Sequence, residues 1–141
     1  MATTRTAHTV WNGNLMEGSG VVTFDSSGIA DQPVSWPARA EQPGGKTSPE
    51  ELIAAAHSSC FSMALSNGLN SAGTPPTKLT TQADVTLQPG TGITGIHLTV
   101  RGEVPGIDEA GFASAAEEAA KNCPVSQALK GTTITHEAKL A

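Results

Sequence analysis

The run Ser48-Pro49-Glu50-Glu51-Leu52-Ile53-Ala54-Ala55-Ala56-His57-Ser58-Ser59-Cys60-Phe61-Ser62-Met63-Ala64-Leu65 decides the fold. Ser48 suits an N-cap, Pro49 suits the first helical position, and Glu51 completes a capping box with Ser48. Glu50 and Glu51 also face the positive end of the helix dipole. The helix is expected to continue to about Asn70, with Gly73 and the pair Pro75-Pro76 stopping it. Residues 52–77 contain no Asp, Glu, Lys or Arg, which superficially suggests a membrane span. Ser58, Ser59, Ser62, Ser66, Asn67, Gly68 and Asn70 break that apolar character, so a core helix is expected instead. Small and apolar residues lie on every side, the pattern of a helix buried all round. Such a helix needs more cover than one sheet of a 141-residue chain supplies. A partner subunit is one source.

On the N-terminal side the chain reads as a β-meander. Thr6 to Trp11 and Gly18 to Phe24 alternate and are β-branched, separated by the turn residues Asn12-Gly13-Asn14. A shorter strand around Pro33 to Trp36 follows the turn at Ser26-Ser27-Gly28, and Pro43-Gly44-Gly45-Lys46 marks a loop. On the C-terminal side, Leu79 to Leu87 and Ile93 to Val104 form a hairpin around Pro89-Gly90-Thr91-Gly92, with Ile96, Leu98 and Val100 pointing inward. Asp108 to Lys121 reads as a helix capped by Asp108, Pro124 to Lys130 as a short second one, and Thr132 to Leu140 as a closing strand. The order βββ-α-ββ-αα-β predicts an α+β fold in one domain, residues 1–141, with a long buried central helix.

Hydrophobic residues make up 38% of the chain and charged ones 15%, with a net charge of −5 and no lysine or arginine cluster. The basic footprint of a nucleic-acid binder is therefore missing. The stretch Met1 to His8 has no apolar core of a signal peptide, so a cytoplasmic location is expected. There cysteines stay reduced, and a disulfide is usually catalytic or redox-sensing.

Cysteine occurs twice, at Cys60 and Cys123. A free thiol with a pKa near 8.5 is only about 3% thiolate at pH 7. Cys60, in mid-helix, reads as a buried thiol, which burial makes less acidic unless a cation offsets the desolvation. Taken alone, it is an inert core thiol. Cys123 precedes Pro124 at a helix start, where free N–H groups and the dipole favour thiolate. The two are 63 positions apart, a spacing that fits neither a CxxC motif nor a zinc ribbon. A site of two cysteines and two histidines, from His57, Cys60, Cys123 and His136, fits no common zinc spacing, and His57 reads better as a satisfied core histidine. Arg39 lies in a loop segment, Pro37-Ala38-Arg39-Ala40-Glu41, and its guanidinium would keep its charge even in a dry pocket.

Taken in order, Arg39, the run from Gly45 through Pro49-Glu50-Glu51-Leu52 to Cys60-Phe61-Ser62-Met63-Ala64-Leu65, Pro105-Gly106-Ile107-Asp108, and Asn122-Cys123-Pro124-Val125-Ser126-Gln127-Ala128-Leu129 closely resemble the OsmC branch of the OsmC/Ohr peroxidases. The likeness extends from about Ala7 to the C-terminus. The sister Ohr branch carries its activating arginine near the start of the second strand, where this chain has Glu17-Gly18-Ser19-Gly20.

The resemblance implies a reactive Cys60, a resolving Cys123, an activating Arg39 with Glu50, and an intertwined homodimer with its sites at the interface. It implies a thiol-dependent reduction of organic hydroperoxides, reopened by an external thiol or dithiol reductant, without a metal or an organic cofactor. In that chemistry Glu50 would hold Arg39 through a bidentate pair. Glu50 and Cys60 are ten positions apart on one helix, about 15 Å along the axis and about 80° around it. If both serve one site, the simplest geometry brings Glu50 and Arg39 from the other subunit. Two other classes compete: a non-catalytic thiol redox switch or stress-response binding protein, and a structural dimer with inert cysteines.

Overall fold

A computed structural model describes residues 1–141, which divide into two compact units, Met1–Leu52 and Ile53–Ala141. In the first unit, β1 (His8–Asn12), β2 (Ser19–Thr23) and β3 (Gln32–Val34) form an antiparallel sheet in sequence order. Every residue of β1 is exposed, and Val10, Leu15, Met16, Val21 and Ile29 keep large apolar surfaces open.

The third strand is shorter than its composition suggests. After Val34 the chain turns into a one-turn helix, α1 (Trp36–Ala40), so Arg39 sits on a helix and not in a loop. Ser35 caps it, its Oγ accepting from Ala38 N at 3.2 Å, and Pro37 stands in the first turn where a missing N–H costs nothing.

The long helix α2 (Pro49–Ser71) starts and stops within one residue of the expected limits. Ser48 Oγ accepts the Glu51 amide at 3.1 Å, which is half of the capping box. The Glu51 carboxylate turns instead to Thr47, accepting its hydroxyl at 2.6 Å. At the other end Gly73 adopts φ 85°, with Gly73 N bonded to Asn70 O and Thr74 N to Leu69 O, a Schellman closure.

In the second unit, β4 (Lys78–Gln88) pairs antiparallel with β5 (Gly92–Glu103), and β6 (Thr133–Leu140) lies parallel on the other edge of β5. The parallel pairing requires a crossover. It is made by α3 (Glu109–Asn122) and α4 (Pro124–Ala128). Asp108 caps α3 by accepting from Gly111 N at 2.7 Å. At Gly102 of β5 a Cβ would fall 2.5 Å from the Phe112 ring, so the missing side chain lets α3 lie close on the sheet.

The core gathers Phe61, Leu65 and Leu69 from α2, Leu98 and Val100 from β5, and Phe112 and Ala116 from α3. His57, Phe61, Leu65 and Leu69 recur every four residues and form one buried stripe. Truncating Leu65 to alanine would cost about 2–5 kcal/mol at such a site. The expectation of a helix covered on every side is not met by a single chain. Ala55, Ala56, Ser59, Met63 and Asn67 are exposed, because the sheet and α3 reach only the stripe face.

Candidate active site

Cys60 lies one turn after His57, beside the buried stripe, and it lines a groove of 950 Å³. Met63, Ala64, Ile107, Ala115 and Ala119 give the groove mostly apolar walls. Phe61, adjacent in sequence, is fully buried in the core and contributes nothing to this surface. Cys60 is thus the half-exposed thiol, while Cys123 is completely buried. The expected burial of Cys60 is thus only partial in a single chain, while Cys123 stands at the helix start expected for it and is buried there. A mid-helix residue is buried only if it falls on the covered stripe, and the junction of α3 and α4 folds inward over the core.

Cys123 both ends α3 and precedes α4, its backbone extended at φ −56° and ψ 121°. The turn brings Cys123 into the buried cluster against which Cys60 packs, and both thiols are free. Desolvation pushes the Cys60 pKa up, the Val125 backbone N–H draws it down, and the hydrogen bond and charge of Cys123 raise it further. The net direction is up. Cys60 therefore has the reach and the partner for disulfide chemistry, and the groups that act on it do not by themselves supply its ionisation.

The charged residues of the first unit form their own cluster. Arg39 Nε donates to both oxygens of Glu50, at 2.6 and 3.1 Å. The expected fork of two parallel bonds is replaced by one shared N–H, which keeps both terminal guanidinium nitrogens clear of Glu50. The Glu50 side chain is 9% exposed and that of Arg39 32%, so the carboxylate is the buried anchor and the cation reaches outward. The Arg39 guanidinium carbon also stands 5.8 Å from the centroid of the Trp36 ring, three residues earlier on α1. That separation permits a cation–π contact. Trp36 and Glu50 together fix the arginine without using its outer nitrogens.

His57 is fully buried, and its Nε2 lies 2.6 Å from Ser126 Oγ on α4. Its Nδ1 has no partner, so the core histidine is only half satisfied. Burial lowers its pKa. No three His, Cys, Asp or Glu side chains converge where they could hold a metal ion, so His57, Cys60, Cys123 and His136 form no zinc site.

The chain is similar to known proteins over nearly its whole length. Residues 42–137 match the family described as OsmC-like protein. The chain is 44% identical over 133 residues to Peroxiredoxin OsmC of Escherichia coli (strain K12), covering 92% of each protein.

The chain belongs to the OsmC-like family.

Solved structures agree on the fold. An OsmC-like protein from Mycoplasma pneumoniae superposes with a TM-score of 0.77 at 15% identity, over 100% of this chain and 99% of that one. An organic hydroperoxide resistance protein from Elizabethkingia anophelis gives a TM-score of 0.70 at 26% identity, over 100% and 99% of the two chains. Within this OsmC-like chain the structure adds three groups that sequence reasoning missed. Trp36 had a signal in its i, i+3 spacing to Arg39 once Ser35 and Pro37 are read as a helix start. Ser126 had a weaker one, lying three residues after Cys123. The Val125 amide had none, because a backbone donor leaves no mark in the sequence.

Proposed function

We propose that this protein is a cysteine-based peroxidase that reduces organic hydroperoxides to alcohols. The observation that carries the reading is Cys60 at the wall of an apolar groove, packed against the buried cluster that holds the distant Cys123. It occurs in a chain 44% identical to a protein named as a peroxiredoxin. The Cys60 thiolate attacks the O–O bond of the hydroperoxide, the alcohol leaves, and the sulfur becomes a sulfenic acid. Cys123 then displaces the hydroxyl as water to form a disulfide, and an external thiol or dithiol reopens it by exchange.

Arg39 stabilises the thiolate and the alkoxide charge that develops as the O–O bond breaks. Glu50 and Trp36 position it. The pair acts on Cys60 of a second copy, in a homodimer of single-domain subunits comprising residues 1–141. Two observations support this assignment, the uncommitted outer nitrogens of Arg39 and the bare face of α2, and the burial that pushes the Cys60 pKa up calls for such a cation. The net charge of −5 favours neither nucleic acid nor an anionic membrane as a partner. No helix is long and apolar enough to cross a membrane. The working location is the cytoplasm, where thiol reductants are at hand.

The test is consumption of t-butyl hydroperoxide and of hydrogen peroxide, each with and without a dithiol. Many equivalents of the organic peroxide consumed per Cys60, only with dithiol present, is the expected result. A single equivalent would favour a thiol redox switch.

A further inference from the structure

The helix α4 that follows Cys123 has five residues, too few to hold its own shape without tertiary contacts. Three links join its first turn to α2. Cys60 packs against the buried cluster that holds Cys123, the Val125 amide is near enough to the Cys60 sulfur to draw its pKa down, and His57 Nε2 meets Ser126 Oγ at 2.6 Å. His57 and Cys60 are three apart on α2, and Cys123 and Ser126 are three apart across the start of α4, so the two pairs lie side by side. Two of these links involve Cys60 and change as its sulfur is oxidised. Only the histidine–serine bond is independent of it.

We infer that His57 and Ser126 are positioning residues for the resolving step, holding α4 docked on α2 while the Cys60 sulfur changes state. The inference rests on the peroxidase reading given above. In that step the S–O bond of the Cys60 sulfenic acid breaks and the Cys60–Cys123 S–S bond forms. The Cys123 proton and the departing hydroxyl leave as water, and no further oxidant is consumed. The product has a narrow geometry, with the two Cβ atoms about 3.8 Å apart, so small drift of α4 removes reactive approaches. Both clamp groups are shielded from water, His57 fully and Ser126 at 5% exposure. The tautomer carrying its proton on Nε2 donates to Ser126 Oγ and leaves only a lone pair at the unpartnered Nδ1. The clamp therefore works with a neutral ring.

The experiment follows one equivalent of t-butyl hydroperoxide by rapid mixing, reading loss of the Cys60 thiol, lifetime of the sulfenic acid by trapping, and appearance of the disulfide. Ser126→Ala and His57→Leu should lose the Cys60 thiol at the wild-type rate but form the disulfide about tenfold more slowly. Ser126→Thr and His57→Gln, which keep a hydroxyl and a donor of similar reach, should restore the disulfide rate to within about threefold. The two disruptive variants stand on different helices, so either one that folds is enough to decide the question, and Cys123→Ser marks the limit of no resolution. Resolution at the wild-type rate in the disruptive variants overturns the inference. So does slowing of both steps by the same factor, which is what general loosening of the fold would produce. If wild-type protein forms no sulfenic acid at Cys60, the peroxidase reading falls first and takes the inference with it.

Discussion

The Arg39–Glu50 pair and the Cys60–Cys123 pair are built in opposite ways. The first is ionic, anchored by a buried carboxylate and an aromatic ring, with the cation 32% exposed and its outer nitrogens uncommitted. The second has no ionic partner: Cys123 is fully buried, Cys60 is partly open to the groove, and desolvation pushes the Cys60 pKa upward. The supporting sheets differ in the same sense. The exposed β1 leaves Val10 and Trp11 open, whereas β5 buries Ile96, Leu98 and Val100 in strict alternation. Each region has what the other lacks. A desolvated thiol needs a cation to ionise, and an arginine held by one nitrogen has others to offer.

The comparison breaks most completely at the sulfurs. Cys60→Ser should reduce peroxide consumption to the uncatalysed background. Cys123→Ser should consume one equivalent and stop, with a trappable sulfenic acid on Cys60. Trapping on Cys123 in the Cys60→Ser protein would reverse the two roles. On the charged side, Arg39→Ala should lower kcat/KM by about 10²- to 10³-fold at neutral pH, the size of losing a preorganised charge donor. The Cys60 pKa in that variant should lie above the ordinary thiol range. Its activity should then keep climbing as pH rises past neutrality, where the wild-type profile is flat. Glu50→Gln should lose less, up to about 10²-fold, because Trp36 still restrains the guanidinium. Equal losses in the two variants would mean that Glu50 does more than hold Arg39.

Smaller effects test the thiol side. The groove beside Cys60 should favour t-butyl hydroperoxide over hydrogen peroxide by about tenfold or more, from roughly 0.8 kcal/mol per buried methylene. Equal kcat/KM values for the two would remove any role for the groove in selecting substrate. The smallest effect concerns His57, whose pKa burial holds below its ordinary 6.5. A group depressed in the folded state contributes stability above its unfolded pKa, which is lost as pH falls through the folded pKa. The melting temperature should therefore decline on acidification below about 6.5, and His57→Gln should flatten that decline. An unchanged slope would show that other groups govern it.

These contrasts also separate what local sequence encodes from what tertiary packing decides. Ser48, Asp108 and Gly73 act on their nearest neighbours, so the ends of α2 and the start of α3 were legible. The alternation of Ile96, Leu98 and Val100 was legible for the same reason. The short α1 was not, because Pro33 and Val34 carry β signals up to its first residue and one turn of helix adds little of its own. The order of exposure of the two thiols was not legible either. It depends on which stripe of α2 the sheet covers and on the path of the chain between α3 and α4. The candidate site residues came from the family resemblance that the ordered motifs carry, while the packing of Cys60 against the cluster that holds Cys123 depends on tertiary structure across 63 positions.

The claim that the two regions complete each other across subunits has a direct test. Arg39→Ala and Cys60→Ser proteins are unfolded, mixed in equal amounts and refolded together, and activity toward t-butyl hydroperoxide is measured with dithiol. Random pairing makes half of the dimers mixed, and each mixed dimer then holds one intact Arg39 and one intact Cys60 on different chains. If sites are shared, about a quarter of wild-type activity returns. If Arg39 serves Cys60 of its own chain, no mixed dimer has a whole site. Activity would then stay at the level of the single variants, and that result would contradict the shared-site claim.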